Sequence, residues 1–349
     1  MTPTSHLSDL LAALPLPTLA IDKSERIIAI NPSAQTLIGT GAQGRHFITV
    51  LRQPQLVEAV EQSLADQTPR LAPFLAGDAG RNITYDVSLG PMADTGTLIL
   101  SFQDVTHLTQ AGQMRRDFVA NVSHELRTPL TALMGFIETL SGPARDDPAA
   151  RDRFLGIMTD EAERMNRLVG DLLSLSRVEA EERVRPTTRV DVRDALQTTM
   201  RNLNPLAADN DVTLKPNLGS EPLIVRGDAD QLLQVFTNLV ENAIKYGGAG
   251  RTVNITAEAH QLDKALRAPA LRITVADHGP GIDPLHIPRL TERFYRADSH
   301  RSRTLGGTGL GLAIVKHILN RHRGRLKITS RLGHGAQFTV ILPQDVVGG

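Results

Sequence analysis

Residues Phe118–Leu130 read FVANVSHELRTPL, and the spacing of their apolar residues decides how the middle of the chain folds. Val119, Val122, Leu126 and Pro129, continued by Leu133, Phe136 and Leu140, recur at alternating steps of three and four. A helix gathers such positions into one stripe, so the run predicts an a/d seam of about three heptads. After the breaker-flanked loop SGPARDDP (Ser141–Pro148) a second seam runs Phe154, Met158, Glu161, Met165, Leu168, Leu172, Leu175. Helical period therefore extends from about Ala111 to Glu182. Two long helices joined by a short loop make an antiparallel hairpin. A lone hairpin cannot cover its apolar stripe, so the expected closure is a homodimer with a four-helix bundle. Glu161 sits in the seam, and the spacing does not say why.

With Val119 at position a, His124 falls at f, facing away from the seam and open to attack. Most histidines at such a position are plain surface residues. Here Glu125 adjoins it and can hold or take the imidazole proton, which leaves the other ring nitrogen as nucleophile. Thr128, one turn on, lies on nearly the same face.

Outward to the N-terminus, Thr18 to Asp22 and Arg26 to Ile30 predict two strands, and Asn31-Pro32-Ser33 caps a short helix. Asn82 to Leu89 and Thr97 to Val105 alternate as half-buried strands do. Outward to the C-terminus, helices are predicted at Val190–Leu206, Asp228–Tyr246 and Leu310–Arg321. Strands are predicted at Leu223–Val225, Val253–Ala259, Leu271–Ala276, Leu326–Ser330 and Ala336–Leu342. The boundaries fall at 1–107, 108–186 and 187–349: a multidomain α+β chain.

Composition narrows the function. Thirty-eight basic residues balance 38 acidic ones across 349 residues, which favours neither nucleic acid nor an anionic membrane as partner. The absence of cysteine excludes disulfides, thiolate catalysis and zinc–thiolate sites. No stretch approaches the ~20 apolar residues of a spanning helix, so a cytoplasmic location is expected. His317 and His322 are five apart, wrong for a helical metal pair, and read as surface residues.

On the predicted helix Asp228–Tyr246, Leu232, Val235, Phe236, Leu239 and Ala243 form an apolar face. Asn238, Asn242 and Lys245 form a polar stripe beside it. Amide oxygens and an amine in line can coordinate Mg²⁺ and neutralise phosphate, although polar stripes usually just face water. Asp277-His278-Gly279-Pro280-Gly281-Ile282 places a carboxylate at a strand end beside permissive glycines. Gly306-Gly307-Thr308-Gly309-Leu310-Gly311 runs into a helix, where backbone N–H groups favour phosphates.

FVANVSHELRTPL resembles the H-box of the histidine-kinase family with a dimerisation and phosphoacceptor helix pair. The resemblance implies His124 as phosphoacceptor, Glu125 as proton acceptor, Thr128 in phosphatase activity, and Pro129 as the site of a helix bend. NLVENAIKY (Asn238–Tyr246), DHGPGI, RFYR (Arg293–Arg296) and GGTGLGL resemble the N, G1, F and G2 boxes of the GHKL (Bergerat-type) ATP-binding α/β sandwich. ATP and Mg²⁺ are then the implied ligands. Asp277 would take the adenine amine, Asn242 the Mg²⁺, and Asn238, Lys245 and Tyr246 the phosphate and ribose side. Gly279, Gly281, Gly307, Thr308, Gly309, Leu310 and Gly311 would line the same site. Asp283 to Leu305 would form a lid, whose Arg296 is assigned to ATP. The other lid arginines (Arg289, Arg293, Arg301, Arg303) read mostly as solvated charges.

Hydrolytic members of that fold resemble E-x-x-x-N; Asn238 stands at the first position here, which argues for transfer over hydrolysis. The expected activity is therefore a sensor histidine kinase that phosphorylates His124 and passes the group to an aspartate of a response-regulator receiver domain. An ATP-driven conformational machine and a catalytically dead scaffold are the alternatives. LAIDKSERIIAINPSA (Leu19–Ala34) and Asp104-Val105-Thr106 resemble the two ends of a PAS sensor module. Residues 289–326 are particularly similar to phosphate-regulon kinases of the PhoR type, which implies a PhoB-like partner.

Overall fold

The computed structural model describes residues 3–78, 81–92, 95–220, 223–248, 250–297 and 307–345. They fall into two compact units, Met1–Ala120 and Asn121–Gly349.

The first unit is built from α1 (Pro3–Ala12), β1 (Thr18–Ile21), β2 (Ile27–Ile30), α2 (Pro32–Ile38), α3 (Pro54–Asp66), β3 (Arg70–Asp78), β4 (Arg81–Met92) and β5 (Thr97–Asp104). The strands form one antiparallel sheet in the order β2-β1-β5-β4-β3. Alternation divides its faces: Leu19, Ile21 and Ile27 join the main core with Phe47, Leu56, Val60 and Phe102. Ala20 and Ala29 point the other way, where Leu7 and Leu11 of α1 cover them. Asn31 ties these parts together. Its buried side-chain oxygen accepts from the N–H groups of Thr18 (3.0 Å) and Ala34 (2.9 Å). Its amide donates to the carbonyls of Leu11, Leu14 and Leu16. The four expected strands and the capped helix are present. α1, α3 and β3 are additions, and β3 carries Pro73 on a sheet edge, where proline disturbs no inner ladder.

α4 (Thr106–Ser141) starts at the end of β5 and is answered by α5 (Pro148–Glu181). Asp147 caps α5 by accepting from the Ala150 N–H, with Pro148 at the first helical position. The hairpin closes where Phe136 stacks on Phe154, ring centres 5.3 Å apart. Pro129, Leu168 and Leu175 of the expected seams are buried. The structure also explains Glu161: Arg164, one turn on, lies 3.6 Å from it and 3.2 Å from Glu125 across the hairpin. The pairing is an ion pair and not a hydrogen bond, since the buried Glu161 Oε2 has no hydrogen-bond partner. Among the described residues no helix is long and apolar enough to cross a membrane.

Beyond the hairpin follow β6 (Arg189–Asp191), α6 (Val192–Asp209), β7 (Val212–Asn217), β8 (Ile224–Arg226), α7 (Ala229–Gly247), β9 (Arg251–Asp263), β10 (Ala268–Ala276), α8 (Gly311–Arg321), β11 (Arg325–Ser330) and β12 (Ala336–Pro343). A five-stranded sheet runs β11-β12-β10-β9-β7, antiparallel except for the parallel pair β7–β9. Alternate residues of β9 and β10 (Val253, Ile255, Ile273, Val275) are buried, as are Leu232, Val235, Phe236 and Leu239 of α7 and Ile314 and Ile318 of α8. The sheet and helices make a two-layer sandwich, with α5 packed along α8.

Two expectations fail here. His322 is not a surface residue but buried: its Nε2 accepts from the Asp228 N–H at 3.0 Å and its Nδ1 donates to the Ile318 carbonyl at 2.8 Å. Burial lowers its pKa and keeps the ring neutral, the form those two bonds require. His317 is half-buried between α8 and α5, with Nδ1 2.8 Å from Glu182. A five-residue spacing spoke only against a metal pair; it said nothing of what packs on each ring.

Candidate active site

A cleft of about 690 Å³ opens between α7, the loop after β10 and the start of α8. That volume suits a small-molecule ligand. It gathers Asn238, Asn242, Lys245, Tyr246, Asp277, Gly281, Arg296, Gly307, Thr308, Gly309 and Gly311 from separated stretches of sequence. Leu310 is fully buried beneath them.

α7 positions the first group. Its cap is Asp228, which accepts from the Gln231 N–H, and its apolar face is anchored in the sandwich, so the stripe of Asn238, Asn242 and Lys245 turns to the cleft. Lys245 is not free there: Glu241, one turn back, holds its Nζ at 2.6 Å. Asn238 reaches the carbonyl of Gly311 at 3.4 Å, tying α7 to the glycine-rich start of α8.

Asp277 directly follows β10 and is buried at the cleft wall. Its Oδ1 accepts from the N–H groups of Gly279 (2.9 Å) and Ala336 (3.2 Å). Burial nevertheless pushes its carboxyl above the ordinary value. Gly279 is required by space: a Cβ there would strike the Tyr246 carbonyl oxygen. Gly309 is required twice over, by a φ of +74° and by the Phe294 backbone that a Cβ would meet at 2.9 Å. The Phe294 N–H donates to the Gly309 carbonyl at 2.9 Å, which joins RFYR to GGTGLGL.

His124 lies on the exposed face of α4. The Thr128 hydroxyl donates to the His124 carbonyl at 3.2 Å. Glu125, beside His124, faces arginines: its Oε2 is 3.2 Å from Arg164 and 3.1 Å from Arg296. Arg296 is itself a wall of the cleft, with only 9% of its side chain exposed. It stands in the cleft and not in open solvent. Arg293 departs from the solvated reading, pairing with Glu179 of α5 at 2.6 Å. Arg289 pairs with Glu292 and covers the Tyr295 ring at 4.2 Å. Arg301 and Arg303 lie outside the described residues.

Sequence reasoning missed what α5 brings. Arg167, Gly170 and Asp171 line the cleft, and Asp171 Oδ2 accepts from the Thr308 hydroxyl at 2.6 Å. Asp171 falls between the seam positions Leu168 and Leu172 and carries no motif, so only the docking of α5 on α8 reveals it. Leu130, Met134, Ile137, Leu155 and Leu173 were also missed: each is about half-exposed or more, a second apolar stripe on the hairpin.

Known families match both the hairpin and the sandwich. Residues 114–181 match the family described as His Kinase A (phospho-acceptor) domain, and residues 227–346 match the Histidine kinase-, DNA gyrase B-, and HSP90-like ATPase family. The chain is 33% identical to the sensor-like histidine kinase SenX3 of Mycobacterium tuberculosis over 354 residues, 98% of this chain and 81% of SenX3. It is 44% identical over 243 residues to the phosphate regulon sensor protein PhoR of Pseudomonas aeruginosa, covering 69% of this chain and 53% of PhoR. The sensor protein kinase WalK of Staphylococcus haemolyticus is 39% identical over 337 residues, 94% of this chain and 54% of WalK. The chain thus spans about half the length of PhoR and of WalK. Among solved structures, the histidine kinase ThkA in complex with response regulator protein TrrA matches 96% of this chain and 98% of its own, with a TM-score of 0.53. At 22% identity that likeness concerns the fold alone.

Proposed function

The chain belongs to the sensor histidine kinases, and from that premise we propose that it transfers the γ-phosphoryl group of ATP to the ring of its own His124. One observation carries the reading: a single arginine, Arg296, lines the cleft and pairs with Glu125, the neighbour of an exposed His124. ATP fits the cleft as a chemical set. Asp277 offers a buried acceptor for the adenine amine, and the N-terminus of α8 offers N–H donors to phosphates. Among the described residues no group of three His, Cys, Asp or Glu side chains could hold a metal alone. In this reading Asn242 would offer its amide oxygen to a nucleotide-borne Mg²⁺. Such an ion would supply neutralisation of charge on the phosphates.

The protein's own part is positioning. The cleft orients the nucleotide and excludes water from its buried end, and the hairpin must present the exposed imidazole of α4 to its phosphate end. Glu125 takes or holds the proton of the far ring nitrogen once Arg296 turns from it to the incoming phosphates. Asn238, where hydrolytic members of the fold have a glutamate, supplies no base for water, and Glu241 is committed to Lys245. Labelled ATP gives the test. Acid-labile, base-stable label should appear on the protein and vanish in His124→Gln; label retained by that variant, or absent from the wild type, defeats the reading.

The remaining parts follow the same reading. The phosphoryl group passes from His124 to an aspartate of a response-regulator receiver domain, a PhoB-like one serving phosphate starvation if the likeness to PhoR extends to the partner. Thr128 acts in the reverse, phosphatase direction. Its hydroxyl proton is engaged by the His124 carbonyl, and its lone pairs remain to accept from a water. The half-exposed stripe Leu130, Met134, Ile137 supports a homodimer closed as a four-helix bundle. The five-stranded antiparallel sheet flanked by α2 and α3 supports a PAS-like sensor in residues 1–107. Residues 108–186 are then the phosphotransfer hairpin and 187–349 the catalytic domain.

A further inference from the structure

The hairpin inserts a carboxylate into the cleft. Asp171, from the middle of α5, is half-buried in the wall shared with Asn238, Lys245 and Gly307, and its Oδ2 accepts from the Thr308 hydroxyl at 2.6 Å. That hydroxyl is fully oriented, because it also accepts from the Leu310 N–H at 3.3 Å. Beside neutral links such as Ser174–Gln234, the ion pairs between the hairpin and the sandwich have a different character. Arg293–Glu179, Arg296–Glu125 and His317–Glu182 each send a basic group of the sandwich to an acid of the hairpin. Asp171 instead sets an anion against the glycine-rich loop whose N–H groups and helix end attract anions. A second acid, Glu241, already holds Lys245 at 2.6 Å. The phosphate side of the cleft therefore contains its own negative charge.

We propose that Asp171 is a resident competitor of the ATP phosphates, so that this docked position of α5 and occupation of the phosphate side by ATP oppose each other. This rests on the reading of the cleft as an ATP site. Phosphates entering beside Thr308 meet a carboxylate at close range and contend for the same hydroxyl. The nucleotide must displace the Asp171 segment, and α5 in its docked position weakens ATP without touching the adenine end. Burial raises the Asp171 carboxyl and Glu241 adds to the rise, outweighing the Thr308 hydroxyl and the nearby Lys245 and Arg167, which lower it. Binding is thereby coupled to the hairpin through differential contacts of one residue in two arrangements.

The test compares two ligands on the full chain, Mg·ATP and adenosine, by titration calorimetry. In Asp171→Asn the repulsion is gone, and ATP should bind about tenfold more tightly while adenosine is unchanged. If the wild type binds neither ligand, the ATP reading of the cleft itself fails. If it binds ATP, but the variant gains nothing for ATP or shifts both ligands equally, Asp171 is only a packing contact and the competition is overturned. A second measurement needs no variant: hydrogen exchange in wild type. Mg·ATP should speed exchange of amides 167–175, and adenosine should not. Slowed or unaltered exchange there with ATP overturns the proposal.

Discussion

Arg296 and Glu125 meet at 3.1 Å, a residue of the cleft wall paired with the neighbour of His124. Both side chains are largely out of solvent, 9% and 17% exposed, so the contact is more than a surface ion pair. A double-mutant cycle of Glu125→Gln and Arg296→Gln in urea unfolding should give a coupling energy of about 1–3 kcal/mol. Additive effects would mean that the pair does not form in solution. Because Arg164 also holds Glu125, the Arg296 change alone should destabilise less than the Glu125 change, which takes a partner from two arginines and leaves Arg164 only Glu161.

Asp277→Asn separates fold from binding. The amide oxygen can still accept from the N–H groups of Gly279 and Ala336, so melting should stay close to wild type. The other carboxylate oxygen becomes an NH₂ donor facing the donor amine of adenine. ATP affinity should drop by about 100-fold, as expected when a buried polar group meets a mismatched partner. Isothermal titration measures it, and an unchanged affinity would exclude Asp277 from adenine recognition.

His322 sets an acid limit on stability. Burial holds its folded pKa below the ordinary 6.5, so the unfolded chain takes up this proton first as the pH falls. The stability it contributes is complete above about pH 6.5 and is lost as the pH descends toward the lowered folded value. Urea midpoints measured from about pH 7.5 to about pH 5 should fall more steeply for the wild type than for His322→Gln. Parallel curves would show that the ring is not held neutral.

The second apolar stripe of the hairpin predicts a self-association surface. Ile137 is 51% exposed and Met134 56% exposed, one helical turn apart. Ile137→Glu places a charge in that stripe and should convert a dimer to a monomer in sedimentation, with the nucleotide affinity retained. A variant that still sediments as a dimer would move the interface elsewhere.

Much of this was legible before any coordinates. The apolar face of α7 and its polar stripe follow from a period of 3.6, and the structure turns the stripe of Asn238, Asn242 and Lys245 to the cleft. The Asn31 cap was also readable, since asparagine before proline announces a helix start. Its hydrogen bonds to α1, β1, α2 and the turn between α1 and β1 were not, because they join backbone groups that no sequence pattern pairs. β3 escaped notice because Pro73 and Gly77 argue against a strand, and only its edge position excuses them. Asp171, Arg293 and His322 share one reason for being misjudged or missed. Each takes its role from a partner far along the chain: Thr308, Glu179 and Asp228.

Pro129 has no N–H, so the carbonyl of Glu125 lacks its usual partner one turn on. Just before it, the carbonyl of His124 shares itself with the Thr128 hydroxyl. Threonine hydroxyls share carbonyls elsewhere in α4 too, at Arg127 and Gly135, but only at Pro129 is a ladder donor missing, at the turn that bears the imidazole. One backbone hydrogen bond fewer makes that turn the easiest place for α4 to bend, one turn beyond the imidazole.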